Sequence, residues 1–527
     1  MKRNVFKFIA IILTLTLLAL PIVSCGGAPS GGAPEGGDLS PDGNYYPNYN
    51  APTGAPPAEI PEGGAESGAP EGDEGVPSFV ENPFISTAEN NVSTFSADVD
   101  TASYTYFRKL VNSKYGWREL QHYASAFRTE EFINYFKYEA AAPAEGELFG
   151  VSPTILPTPW NPNTVLLSMT LQAPVATPVE GNNLVFLIDV SGSMMSSDKL
   201  GLLKTSFSYL TDQLTERDTV SIVTYSGREE VVLKGCPGNQ KETILQKINA
   251  LVANGSTYGE AGLRRAYEIA EEYRIEGGNN RIIMASDGDL NVGISSAEEL
   301  TAFISEKRDA GVYLSVLGFG TGNYRDANME ALADNGNGVY YYIDGASEAE
   351  RVFGSDLLGT LYTVAKDVKL QLTFDPTYVS SYRLIGYENR LLNEDDFLDD
   401  TKDAGEVGAG HQVTVCYELT LAEGAKTEGA EWMTLAVNYK KPEATVSEPP
   451  RLYPIGFESY KEALSEEDYF RVCVIELCML LHNSKYLPES GLTLASILET
   501  LDALDLSAFT DRAEFRTLLH LLQESGE

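Results

Sequence analysis

The sequence predicts an α/β protein: a mostly parallel sheet with helices on both faces, inserted in a smaller β-rich domain and followed by a helical C-terminal region. Three observations carry this. From residue 182 to residue 366, short apolar runs alternate with amphipathic stretches of helical length. On either side of that segment, runs at 148–156, 165–172, 368–374, 411–420 and 432–439 tend to alternate apolar and polar residues, as half-exposed antiparallel strands do. Residues 462–481 and beyond read as helix. Neither flanking group makes a stable sheet alone, so the two are expected to combine into one β-domain, with the C-terminal helices packed against it.

At 527 residues the chain is too long for one ordinary domain, and at about 150 residues per domain it suggests about three. Residues 1–24 read as a lipoprotein signal peptide: Lys2, Arg3 and Lys7 make a positive start, and residues 8–20 are an apolar run too short to span a membrane. Ile22-Val23-Ser24-Cys25 resembles the lipobox of bacterial lipoproteins, in which the cysteine is lipidated and becomes the new N-terminus. The alternative is an ordinary signal anchor. The lipobox implies an extracytoplasmic protein held to the bacterial cell membrane by a lipid on Cys25. Residues 25–80, rich in Gly, Pro, Ala and Glu, lack the aliphatic residues to fold. As a tether they reach on the order of 40 Å.

Residues 81–181 are expected to form an N-terminal region of helices at 101–112 and 129–138 followed by the first two strands. Asp98-Val99-Asp100 is similar to the DxDx(T/V) motif of haloacid-dehalogenase-type phosphatases. Thr101, however, comes one place early, and residues 90–94 are polar where that motif needs a buried strand. A solvated turn capping the helix near Thr101 is the expectation. Beyond Cys25 there are Cys236, Cys416, Cys473 and Cys478, and the last two lie five apart on one helical stretch, pointing apart. They read as buried free thiols, with no zinc site, because no histidine is spaced with a cysteine as zinc ligands are.

The segment 182–366 has strands at LVFLID, TVSIVTY, EVVL, RIIMAS, VYLSVLGFG and VYYYI, with helices such as KLGLLKTSFSYLTDQL and GEAGLRRAYEIAEEY between them. In such a sheet ligands bind beyond the carboxyl ends of the strands. Asp189, Ser191 and Ser193 form DVSGS at the end of the first strand, Thr257 lies in NGSTYGEAGL before a helix, and Asp287 ends RIIMASDG.

This pattern resembles the metal-ion-dependent adhesion site of the Rossmann-like von Willebrand factor type A domain, whose three loops supply DxSxS, a threonine and an aspartate. The resemblance implies Mg²⁺ (or Mn²⁺ or Ca²⁺) held directly by Ser191, Ser193 and Thr257, with Asp189 and Asp287 mostly acting through water. It also implies an open position for an Asp or Glu carboxylate of a protein partner. The chemistry is consistent: a hard cation wants about six oxygens, and neutral hydroxyls leave it electrophilic. Tyr258 and Glu260 sit where smaller or less acidic residues are expected, and Asp198 and Asp289 read as solvated charge. Gly318-Phe319-Gly320-Thr321-Gly322 reads as a close-approach turn, not a nucleotide loop. The segments TFSADVDTASY, RTEEFINYF, LPTPWNPN, AKDVKLQLTFDP and YRLIGYENRLL are similar to those of bacterial von Willebrand A-domain lipoproteins, extending the resemblance from about Thr94 through the C-terminal region, 367–527. DDFLDDTKDAGE lacks the glycine of a calcium loop and reads as solvated surface.

Composition and motifs narrow the function. With 76 acidic against 38 basic residues and a net charge of −38, the chain repels polyanions, so nucleic acid is excluded as a partner. HExxH and GxSxG are both missing, and His122, His411, His482 and His520 lie outside the site loops. A non-enzymatic, surface-displayed module binding a protein through a divalent cation is expected. The alternatives are an accessory or assembly subunit of an envelope complex and, further off, a metal-dependent phosphohydrolase.

Overall fold

The computed structural model describes residues 80–175, 180–288, 297–320, 326–442, 444–487 and 491–525. The expected signal peptide, Cys25 and the tether lie outside the described residues, as does Asp289.

The alternating segment folds as expected. Its six-stranded sheet runs, edge to edge, Tyr340–Tyr342, Tyr313–Gly318, Asn279–Ser286, Asn182–Asp189, Thr219–Tyr225 and Glu229–Pro237. All neighbours are parallel except the last pair, a hairpin that makes Glu229–Pro237 an antiparallel edge longer than the EVVL run. Asn182–Asp189 is buried at every residue. Because successive side chains point to opposite faces, Leu184, Phe186 and Ile188 join the cluster of Phe207, Leu210 and Ile244, whereas Val185 and Leu187 join that of Leu263, Ala266 and Ile304. Phe186 stacks on Phe207 with ring centroids 4.3 Å apart. A strand so covered is apolar from Leu184 to Ile188; the buried Asn182 and Asn183 at its start are tolerated because they donate to Asp218 at 2.6 Å and to Ala270 O at 2.8 Å.

The flanking strands form a sandwich of two antiparallel sheets, and both sheets mix strands from before and after the segment. One runs Ile85–Ser86, Val379–Ile385, Gln412–Leu421, Val165–Gln172 and Gly150–Pro157. The other runs Leu391–Leu392, Val92–Ser96, Thr363–Phe374, Glu431–Lys440 and Arg451–Gly456, with Gly405–Gly408 beside Thr363–Phe374. The segment is therefore an insertion. Its two ends are tied to one place: Ala173 N–H donates to His411 O at 2.9 Å, Gly410 N–H to Pro174 O at 2.9 Å, and Ala409 N–H to Tyr362 O at 2.8 Å.

Half-exposure holds for Gly150–Pro157, half-buried at five of its eight positions, and is corrected for its neighbour. Val165–Gln172 is buried at seven of its eight positions. Val165, Leu167, Met169 and Leu171 face the sandwich interior, while Leu166 and the neighbouring Cys416 lie under the helices Thr129–Tyr135 and Glu466–Leu481. The outward residues Thr170 and Thr414 pair with each other at 3.1 Å. A polar outer face is thus compatible with burial when its hydroxyls bond across the sheet. The C-terminal helix Glu466–Leu481 starts from a capping box in which Ser465 and Asp468 each accept the other's backbone N–H. The four described cysteines are free and buried, as expected, and burial pushes the Cys473 and Cys478 thiols up, so they stay protonated.

The solvated turn expected at Asp98-Val99-Asp100 is also corrected. Both aspartates are buried. Asp98 faces Arg390 at 3.4 Å, and Asp100 accepts from Tyr340 N–H at 3.0 Å. The helix Ala102–Asn112 is capped not by them but by Glu131, which accepts from Ser103 N–H at 2.7 Å. The acidic 395–406 segment is likewise more than solvated surface: its carbonyls at Asp396 and Asp400 accept from Lys369 and Lys440 at 3.1 and 2.8 Å. Arginines join the parts. Arg108 grips Asp344 at 2.6 and 2.7 Å, Glu348 at 2.8 Å and the C-terminal Glu514 at 3.0 Å. Arg390 holds Asp334 at 2.7 Å and Glu330 at 2.9 Å on the inserted domain.

Two predictions follow from these buried charges. Arg108→Ala strands Asp344, while Glu348 keeps Arg351, and is expected to lower unfolding free energy by about 3 kcal/mol, read from the denaturant midpoint. Glu130 lies fully buried, accepting from Tyr387 N–H at 2.9 Å. Burial, then the charge of Glu388, pushes its carboxyl up to about 8. The unfolded chain releases this proton in the ordinary carboxylate range and the folded chain keeps it, so stability falls as pH rises from about 5 to about 8. Glu130→Gln is expected to flatten that slope in urea titrations run across the interval.

Candidate functional site

The site stands at the carboxyl edge of the inserted sheet, where three chain segments leave it side by side. Asp189 ends the central strand, and Asp287 directly follows Asn279–Ser286, its parallel neighbour. Past Asp189 the chain turns at once: Ser191 N–H donates to Asp189 Oδ1 at 2.8 Å, and this brings the Ser191 and Ser193 hydroxyls to 2.9 Å from each other. Asp189 and Ser191 are wholly buried; Ser193 is half-buried.

The threonine loop is docked against this turn by backbone bonds. Gly192 N–H donates to Gly255 O at 2.9 Å, Asn254 N–H to Val190 O at 2.7 Å, and Tyr258 N–H to Ser226 O at 2.7 Å. Gly192 suits this approach, because a Cβ there would press on Gly255 O at 3.2 Å. Thr257 is thereby carried to the same edge, half-buried, just before the helix Gly259–Glu272. Four of the five expected residues are thus joined through direct bonds or adjacency, and Thr257 is positioned through its loop.

Three residues at the site were not singled out in the sequence. Ser286 lies 3.4 Å from Asp189 Oδ2. Tyr225 is wholly buried beneath the turn, and burial followed by the Asp189 charge keeps its phenol protonated. Lys199 makes a buried ion pair with Asp287 at 2.7 Å. Ser286 carried a usable signal, since it is the residue next to Asp287 on an inward-facing strand. Lys199 carried little, because a lysine ten residues past Asp189 reads as surface charge until the turn Ser197–Gly201 folds it back.

Burial pushes Asp189 up to about 6 against the pull of its Ser191 hydrogen bonds, and the Asp287 charge adds to the rise. A desolvated carboxylate of this kind gains from a cation. The donor set suits a hard ion: hydroxyls at Ser191, Ser193 and Thr257 with carboxylates at Asp189 and Asp287, and no soft ligand. Among the described residues there is no cluster of three or more His, Cys, Asp or Glu arranged to hold a metal, so any cation here depends on the hydroxyls. Around the site Met195 and Tyr258 are exposed, and Glu260 pairs with Arg264 at 2.9 Å. Asp198 is part-exposed and pairs with Lys109 at 3.3 Å. Gly320 turns at positive φ beside Lys199, the close approach expected of the GFG run; Thr321 and Gly322 lie outside the described residues.

The fold and this edge define a von Willebrand factor type A domain protein. A family model of that description matches residues 183–354, one described as von Willebrand factor matches 71–168, and one described as Uncharacterized protein YfbK, C-terminal matches 359–524. The chain is 39% identical over 436 residues to Uncharacterized protein YfbK of Escherichia coli (strain K12), covering 78% of this chain and 74% of that one. It belongs to the YfbK family. It is also 29% identical over 274 residues to the human inter-alpha-trypsin inhibitor heavy chain H3, covering 48% of this chain and 30% of that one. Among solved structures it is similar to a von Willebrand factor type A protein from Catenulispora acidiphila, at TM-score 0.39 and 16% identity, over 74% of this chain and 89% of that one. As a von Willebrand A-domain protein it is of a class suited to protein interaction or adhesion.

Proposed function

We propose that this protein is displayed outside the cytoplasm from a lipid on Cys25 and binds a protein partner through a divalent cation at the edge of its inserted domain. The observation that carries this reading is the convergence of the Ser191 and Ser193 hydroxyls, 2.9 Å apart, with the buried Asp189 carboxylate beneath them and the Thr257 loop bonded alongside. Ser191, Ser193 and Thr257 hold the ion, and Asp189 and Asp287 support it. The bound ion, Mg²⁺ or a similar one, supplies a Lewis-acidic position for an Asp or Glu carboxylate of the partner. The chain's own residues do the rest. Asp189 is kept dry by the sheet and oriented by the Ser191 N–H, so its charge is directed toward the hydroxyls. Met195 and Tyr258, exposed at 72% and 46%, offer apolar contact around that point, the kind of surface a partner desolvates.

The rest of the chemistry favours binding over turnover. His411 is buried, and burial holds its imidazole down at about 3. His482 is pushed down to about 4 by burial although its ring faces the Phe127 and Ala124 carbonyls. Neither can serve as a base for a hydroxyl at the site, since each is committed elsewhere in the fold. The net charge of −38 repels an acidic partner at long range, and a divalent ion reverses the sign at the point of contact.

Asp189→Ala is expected to abolish capture of a membrane-extract partner and to remove divalent binding in calorimetry, while the circular dichroism spectrum and melting profile stay near wild type. Equal Mn²⁺ affinity in the two proteins, or capture indifferent to EDTA, would overturn the reading. For the anchor, Cys25→Ala is expected to leave the protein unprocessed or to release it from membranes. The test is metabolic labelling with a fatty-acid probe, and a labelled, processed variant would sink that part.

A further inference from the structure

A third charge stands inside the site. Lys199 Nζ lies 2.7 Å from Asp287 Oδ2, and the two side chains are 11% and 0% exposed. The placement is built, not incidental. Lys199 sits on the wide π-helical turn Ser197–Gly201, whose start is pinned by Ser196 Oγ donating to Asp198 Oδ1 at 2.6 Å and by Lys109 against Asp198 at 3.3 Å. The aliphatic stem then passes over Gly320, at φ +75°, where any Cβ would collide with the lysine's methylenes. Gly320 itself is held by Tyr342 OH, which donates to its carbonyl at 2.8 Å. Two loops that supply none of the expected cation ligands are thus shaped around one ammonium.

Its consequence is electrostatic. Two carboxylates, Asp189 and Asp287, would neutralise a divalent ion and leave little attraction for a third. With Lys199 beside Asp287, the loaded site keeps a net positive charge. The same charge lowers affinity for the ion, since like charges at a few ångströms in a desolvated site repel strongly.

We propose that Lys199 is a positioning residue of this site, held against Asp287 so that a bound divalent ion stays net positive and ready for an acidic partner group, at some loss of affinity for the ion itself. This rests on the cation-site reading above.

The test titrates Mn²⁺ into the full-length wild type, Lys199→Met, Lys199→Gln and Lys199→Arg proteins by calorimetry, with acetate as carboxylate probe. Acetate binding to the Mn²⁺-loaded proteins is followed by the loss of water-proton relaxivity as it replaces bound water. Removing the charge is expected to tighten Mn²⁺ by about tenfold or more and to weaken acetate, whereas Lys199→Arg stays near wild type in both. A merely structural lysine would not tighten metal when neutralised. If wild type binds Mn²⁺ and the neutral variants bind it equally or more weakly, this proposal fails and the cation site stands. If no variant binds Mn²⁺, both fail. Should Lys199→Met not fold, judged by its melting profile, Lys199→Gln, which keeps a polar, uncharged end, decides.

Discussion

An inserted domain hangs from two strands of chain, and unless something else fixes it, it swings. Here both ends are bonded to the same short stretch, residues 409–411, which defines a pivot and not an orientation. The orientation comes from buried arginines on opposite partners. Arg108, on the helix Ala102–Asn112, grips Asp344 and Glu348 near the end of the inserted domain and Glu514 on the C-terminal helix. Arg390, from the sandwich, grips Glu330 and Asp334 on one of its helices. Buried ion pairs add little net stability against well-packed apolar groups, but they tolerate only one geometry, because a misplaced charge would be left desolvated. We read these clamps as the reason the inserted sheet holds one orientation on its host, with Lys109 of the helix Ala102–Asn112 reaching Asp198 beside the carboxyl edge at 3.3 Å.

The helix Thr129–Tyr135 shows the same logic at smaller scale. Every residue of it is buried, and its polar side chains each close a different junction. Glu131 caps the start of Ala102–Asn112, Glu130 holds the Gly386-Tyr387 turn, and Asn134 donates to Asp98 O at 3.0 Å while accepting from Thr414 N–H at 2.8 Å. Desolvating so many polar groups is costly unless each finds a partner. A helix of this composition can therefore be buried only in one fold.

At the outer edge the energetic problem is reversed. The central strand buries everything apolar and delivers one carboxylate to a place where water is scarce and oxygens converge. Hydroxyls cost little to bury when paired, as Ser191 and Ser193 are, and in the proposed cation site they would not quench the ion as carboxylates would. The result is a site of limited intrinsic charge on a strongly acidic molecule.

The order and type of elements in the inserted domain were legible in the sequence, because a strand covered on both faces must be continuously apolar, and the helices between show their period. That Asp189, Ser191, Ser193, Thr257 and Asp287 would stand near one edge was legible from their places at strand ends or just before a helix; their role as a cation site came from resemblance and stays a proposal. Also legible was the sharing of one β-domain by strands on both sides, since neither group could be stable alone. What only the tertiary structure decided are the contacts that join residues far apart in the chain. Asp98 and Asp100 look like a solvated cap until Arg390, some 290 residues on, is folded against them. Val165–Gln172 looks half-exposed until helices cover its second face. Lys199 looks like surface charge until its turn and Gly320 bring it to Asp287. Local pattern reports what a residue's neighbours in sequence require; burial and charge pairing are set by neighbours in space, and those exist only once the chain has closed on itself.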